Sequence, residues 1–116
     1  MNHFVEIRSY TLKPGTCEEF HRLFLEETFP ILQRWKVDVV AYGPSLHDSD
    51  SYFLIRRYDS LSQREEREDA FYGSDEWRED PREAMIALIV NYTEIVLEMD
   101  EVTLQGLRAV RSHSET

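Results

Sequence analysis

From Phe4 to Leu12, apolar and aromatic residues fall on alternate positions, the two-residue period of a strand with distinct faces. Lys13-Pro14-Gly15 interrupts that period with a turn, because proline presets φ and glycine is free to take positive φ. A longer period follows. Thr16 stands three residues before Glu19, the spacing of a capping box, and Phe20, Leu23 and Phe24 mark one side of a helix. Pro30 has no N–H to return to the Glu26 carbonyl, which predicts a kink or restart before a second helical piece from Ile31 to Trp35. Val37–Gly43 and Tyr52–Tyr58 read as strands joined by a polar connection, Pro44–Asp50. Ser60 and Gln63 repeat the capping logic before a helix that ends near Tyr72-Gly73. A short helical segment opens at Ser74–Trp77, another runs from Arg82 to Ile89, and a last strand covers Thr93–Met99.

The order β-α-β then β-α-(α)-β describes two similar halves. It predicts an α+β, ferredoxin-like β-α-β-β-α-β sandwich: one antiparallel sheet with its helices on one side. We expect one domain over residues 1–101. Residues 102–116 read as a polar C-terminal tail, in which Leu104, Leu107 and Val110 have the spacing of a short amphipathic turn.

Alternation also sorts the strand residues into two sets. Val5, Ile7, Ser9, Thr11, Val37, Val39, Ala41, Phe53, Ile55, Ile95, Leu97 and Met99 form a nearly apolar set, expected under the helices. Glu6, Arg8, Tyr10, Val40, Tyr42, Tyr52, Leu54, Arg56, Tyr58, Glu94, Val96 and Glu98 form the opposite set. Its charges can pair, Arg8 and Arg56 with Glu6, Glu94 and Glu98. So much aromatic area in one plane is more than a monomer usually exposes. The expectation is therefore a homodimer packed through Arg8, Tyr10, Tyr42, Tyr52, Arg56 and Tyr58.

Charge and composition narrow the partners. The formal net charge of −10 disfavours nucleic acid, whose binding depends on neutralising phosphates. The run from Arg64 to Asp69 mixes both signs and reads as a solvated helix face. No apolar stretch approaches the roughly 18 residues of a membrane span, so no membrane insertion is expected. Met1-Asn2-His3-Phe4 does not have the layout of a signal peptide, and the single cysteine can form no internal disulfide. A cytoplasmic location is the expectation.

The chemistry candidates are few. Cys17 and His21 share one side of a helix, but two ligands do not make a zinc site, and no other histidine has ligand spacing to them. Glu18 and Glu19 beside Cys17 work against a thiolate, and no third group orients a nucleophile–base pair. Neither a metal nor a cofactor is expected. His21 remains as a polar group at the helix border, where the small residues Ser9, Thr11 and Ala41 leave room for a cavity edged by His21 and Trp35.

The ordered set Glu6-x-Arg8-x-Tyr10-x-Leu12-x-Pro14-Gly15, Pro30-x-Leu32-x-Arg34, Arg57-Tyr58-x-Ser60-Leu61-x-x-Arg64 and Asp75-x-Trp77 resembles the NIPSNAP family, within the wider group of dimeric α/β barrels. The chain departs from that pattern at Ile55-Arg56 and in its short Ser45–Ser51 loop. The resemblance implies a ferredoxin-like subunit whose sheet joins a partner's to close a barrel. It supplies no reaction and no catalytic residues. Two functions fit: a homodimer that binds or transforms a small apolar or aromatic molecule between sheet and helices, or a non-enzymatic interaction module using acidic helices and tail.

Overall fold

The computed structural model describes residues 2–110. Four strands, β1 (His3–Leu12), β2 (Asp38–Pro44), β3 (Ser51–Tyr58) and β4 (Ile89–Met99), form one sheet in the order β2-β3-β1-β4. Every neighbouring pair is antiparallel. With helices after β1 and after β3, this is the expected β-α-β-β-α-β arrangement, consistent with a ferredoxin-like fold. Strand β4 begins four residues earlier than the pattern predicts, so Ile89, Asn91 and Tyr92 already pair with β1, with a register shift at Thr11/Leu12 that skips Val90.

The first helical stretch is α1 (Cys17–Leu23), a π-helical turn (Phe24–Thr28) and α2 (Phe29–Arg34). The adjustment expected at Pro30 occurs upstream of it. The Phe29 N–H reaches back five residues to the Phe24 carbonyl, and Pro30 enters in the first turn of α2, where its missing N–H costs least. One inserted residue rotates the downstream helix by about 100°. In an unbroken helix Glu27 would sit nearer the centre of the Phe20 stripe than Thr28. Here Thr28 is buried and Glu27 is half-exposed.

The second half carries α3 (Leu61–Tyr72), α4 (Asp75–Glu79) and α5 (Arg82–Leu88). Ser60 accepts from the Gln63 N–H at 3.0 Å, and the Gln63 side chain accepts in return from the Asp59 N–H at 2.7 Å. The Thr16 side chain does not cap α1; its hydroxyl donates to the Lys13 carbonyl at 2.7 Å and ties the turn instead. In that turn Gly15 adopts φ +79°, as its position after proline suggested.

The sheet faces are reversed from expectation. Tyr10, Tyr52, Leu54 and Tyr58 pack in the main core with Phe20, Phe24, Phe71 and Trp77 of the helical segments. Arg8 and Arg56 lie on that helix-covered side with them. Val5, Ala41 and Ile55 form a second cluster on the other face, with Ile7, Phe53 and Met99 packed against it. A register shift between Val39 and Ala41 puts Val40 in that second cluster too, while Val37 and Val39 stay with the main core and Tyr42 packs there beside Phe24. The reversal has a physical cause. Helix α3 supplies partners for the charged strand residues, so the polar set is the one that can be covered. The apolar set is left facing outward, with Ile95 57% and Leu97 41% exposed. A final helix, α6 (Glu101–Arg108), shields part of this outer face by burying Leu104 against it. Asp100 caps α6, and Arg108 pairs with Asp38 at 2.8 Å.

Candidate functional site

The floor of the site is a set of charges between sheet and α3, buried at Glu6, Arg8 and Arg56 and open to solvent at Glu94. Glu6 has no solvent exposure and sits among three arginines. Arg56 donates to Glu6 Oε1 from Nε at 2.9 Å and Nη2 at 2.6 Å. Arg64 reaches Oε2 at 2.8 Å, and Arg8 reaches the same oxygen at 3.3 Å. Glu94 accepts from Arg8 at 2.7 Å and from Arg64 at 3.2 Å. Glu68 pairs with Arg56 at 3.2 Å and accepts from the Tyr58 hydroxyl at 2.8 Å. The Tyr72 hydroxyl accepts from both Arg8 and Arg56 at 3.1 Å. Three arginines thus face three glutamates.

Burial alone would raise the Glu6 carboxyl, but Arg56 and then Arg8 override it and hold the group well below its ordinary range. Glu68 moves the other way: burial raises it, Arg56 opposes, and the Glu6 charge adds to the rise. Burial likewise raises the hydroxyls of Tyr10, Tyr52 and Tyr58.

Above this floor lies a cavity of about 900 Å³ between sheet and helices. Tyr10, Leu54 and Tyr92 line it from the strands, and Phe24, Trp77 and Met85 from the helical side. Arg8 and Arg56 give it a polar base, and the Arg8 guanidinium lies 4.8 Å from the centre of the Tyr92 ring. The arrangement suits a molecule with an apolar, flat body and a polar edge.

The NIPSNAP family model matches residues 5–100 of this chain. The chain belongs to the NIPSNAP family. A NIPSNAP family protein from Agrobacterium tumefaciens is 20% identical, with 88% of this chain and 90% of that one covered and a TM-score of 0.80. A NIPSNAP-like domain protein from Burkholderia xenovorans, described as uncharacterized, is 24% identical over 82% and 83% of the two chains, with a TM-score of 0.76. A second Agrobacterium tumefaciens member, described as of unknown function, is 23% identical over 83% and 86%, with a TM-score of 0.77. At these identities the likeness is one of fold. No match was found among curated proteins.

Within this NIPSNAP fold the residues singled out from sequence are dispersed or reassigned. Ser9, Thr11 and Ala41 lie on the outer face, away from α1, and Ser9 borders only a smaller hollow near the Ser45–Ser51 loop. His21 Nδ1 lies 2.6 Å from the Tyr52 hydroxyl, and its ring packs near Tyr42. Trp35 is 37% exposed and donates its indole N–H to Glu76 at 3.0 Å. These five do not converge on one space. Of the six residues expected at a dimer face, Arg8, Tyr10 and Arg56 line the large cavity, and Tyr42, Tyr52 and Tyr58 pack beneath the helices. Cys17 is half-buried, its thiol pushed up by burial and by the carboxylates of Asp50 and Glu18. Among the described residues no group of three or more His, Cys, Asp or Glu is placed to hold a metal, and no helix is long and apolar enough to cross a membrane.

Pairing of Arg8 with Glu6 and Glu94, and of Arg56 with Glu6, agrees with the expectation from alternation; Glu98 instead accepts from Asn2. Arg64, Glu68 and Tyr72 were missed. Their i, i+4, i+8 spacing places them on one side of α3, a stripe that reads as solvated until a charged sheet face is set against it. Thr28 was missed because only the π-helical turn brings it inward.

Proposed function

We propose that this protein is a homodimer that binds a small apolar or aromatic molecule between its sheet and helices. The observation that supports binding is the cavity of about 900 Å³, lined by aromatic and apolar side chains over a charged base, with Asp69, Arg78, Arg82 and Glu83 also on its lining. The outward set of Ile7, Phe53, Ile95 and Leu97 supports self-association, since a contiguous apolar sheet face is stable in water when a like face covers it. The two features use opposite faces of one sheet, so dimerisation leaves the cavity open.

Trp77 lines the cavity, which makes its emission a reporter in a chain carrying Trp35→Phe. Naphthalene should quench it saturably, and Met85→Phe, which adds a ring to the cavity wall, should abolish that response in a protein whose thermal melt shows it folded. Quenching that never saturates, or that is indifferent to Met85→Phe, would sink the binding reading.

A further inference from the structure

Tyr72 closes the last turn of α3, is half-buried, and lines the cavity. Its hydroxyl oxygen accepts from Nη1 of Arg8 and from Nη1 of Arg56, each at 3.1 Å. Two guanidinium donors fill the accepting side of a phenol oxygen, so its own hydrogen points away from both. Among the described residues that hydrogen meets no acceptor: in each of its side-chain hydrogen bonds Tyr72 is the acceptor.

The surroundings hold this arrangement in place. Arg8 is fixed by Glu6 and Glu94 and lies within reach of the Tyr10 hydroxyl, and Arg56 is fixed by Glu6 and Glu68. Neither guanidinium can turn to release the Tyr72 oxygen without losing those partners. The Tyr72 ring packs edge-on against Phe71 at 4.7 Å and against Trp77 at 5.7 Å between ring centres. All three residues that meet at the oxygen line the cavity. A hydroxyl that accepts from cations is polarised and becomes a stronger donor. Its complement is an acceptor oxygen, and because three arginines already face three glutamates, that oxygen need not carry charge. The aromatic and apolar side chains of Phe24, Leu54 and Trp77 suit a flat apolar body behind it.

We propose that the Tyr72 hydroxyl donates to a carbonyl oxygen on a flat aromatic molecule bound in the cavity, so that aromatic ketones are the class of ligand the site selects. This rests on the cavity being a binding site.

The test uses the full chain carrying Trp35→Phe, so that Trp77 alone reports. It is titrated with acetylnaphthalene and with isopropenylnaphthalene, which has the same shape with a methylene in place of the oxygen. The ketone should bind about fivefold more tightly, the effect of one hydrogen bond. Tyr72→Phe, which keeps the ring and removes the hydroxyl, should bring the two affinities together. The infrared carbonyl stretch of the bound ketone should lie below its position in hexane and return toward that position in Tyr72→Phe. If the phenylalanine variant does not fold, the stretch in the unsubstituted site decides alone. Equal affinity for the two probes, a ketone preference that survives Tyr72→Phe, or a stretch unmoved from its hexane position overturns the assignment while leaving the cavity reading intact. If neither probe binds, the cavity reading fails and this assignment fails with it.

Discussion

Glu6 is the residue on which the interior charges converge. It is fully buried, and Arg56, itself 1% exposed, takes its closest charge compensation from it, with Glu68 second at 3.2 Å. Glu6→Gln preserves volume and removes that compensation. The expected cost is on the order of 3 kcal/mol in denaturant unfolding, the scale of breaking one side of a buried pair. The pH dependence comes from the direction of the shift. The folded-state carboxyl lies below its ordinary value of 4.5, so its contribution is complete above that pH and is lost as pH falls below it. Glu68, raised on folding, acts oppositely: its contribution is complete below 4.5 and declines as pH rises through its folded-state value. Stability measured against pH should therefore fall less steeply below 4.5 in Glu6→Gln than in the parent chain; an unchanged acid limb would contradict the assignment of Glu6. Half of this arrangement is legible in the sequence. Alternation places Glu6, Arg8, Arg56 and Glu94 on one face, where they must meet. Arg64 and Glu68 sit in a mixed-charge run whose ordinary fate is solvation, and only the packing of α3 turns them inward.

At the level of elements, two capping signals of the same form behave differently. Ser60 accepts from the third residue of α3, whereas the Thr16 hydroxyl serves the turn before α1. Ser60→Ala should cost about 1 kcal/mol, while Thr16→Ala, at a turn bond open to solvent, should stay within about 0.5 kcal/mol. Equal losses in chemical denaturation would contradict the distinction. The sequence pattern of S/T-x-x-E/Q cannot separate the cases, because the same hydroxyl can donate to a preceding carbonyl or accept from a following N–H. The existence of nearly every element was readable from periodicity. The π-helical turn was not: proline announces that something must give, but where the helix widens depends on which side chain the sheet needs, here Thr28 over Glu27.

For the whole molecule, the deciding feature is the outward apolar face. Ile95 pairs across from Ile7 on it, and Leu97 across from Val5. If this face joins two copies, Ile95→Asp should halve the mass seen by light scattering at micromolar concentration, with the far-ultraviolet spectrum unchanged. A parent chain that is already monomeric there would remove the dimer from the proposal. Helix α6 covers part of the same face through Leu104, and leaves Ile95 and Leu97 exposed.

Sequence alone determined the order of elements as far as β4, the antiparallel sheet, the division of strand residues into two sets and the family, because each depends on local period, turn chemistry or motif order. Which set lies under the helices was decided only in three dimensions. Burying apolar residues predicts one answer, but a helix that carries matching charges makes the other face coverable as well. That choice moved Arg8, Tyr10 and Arg56 from a supposed subunit contact to the base of a cavity, and took Ser9, Thr11 and Ala41 out of one.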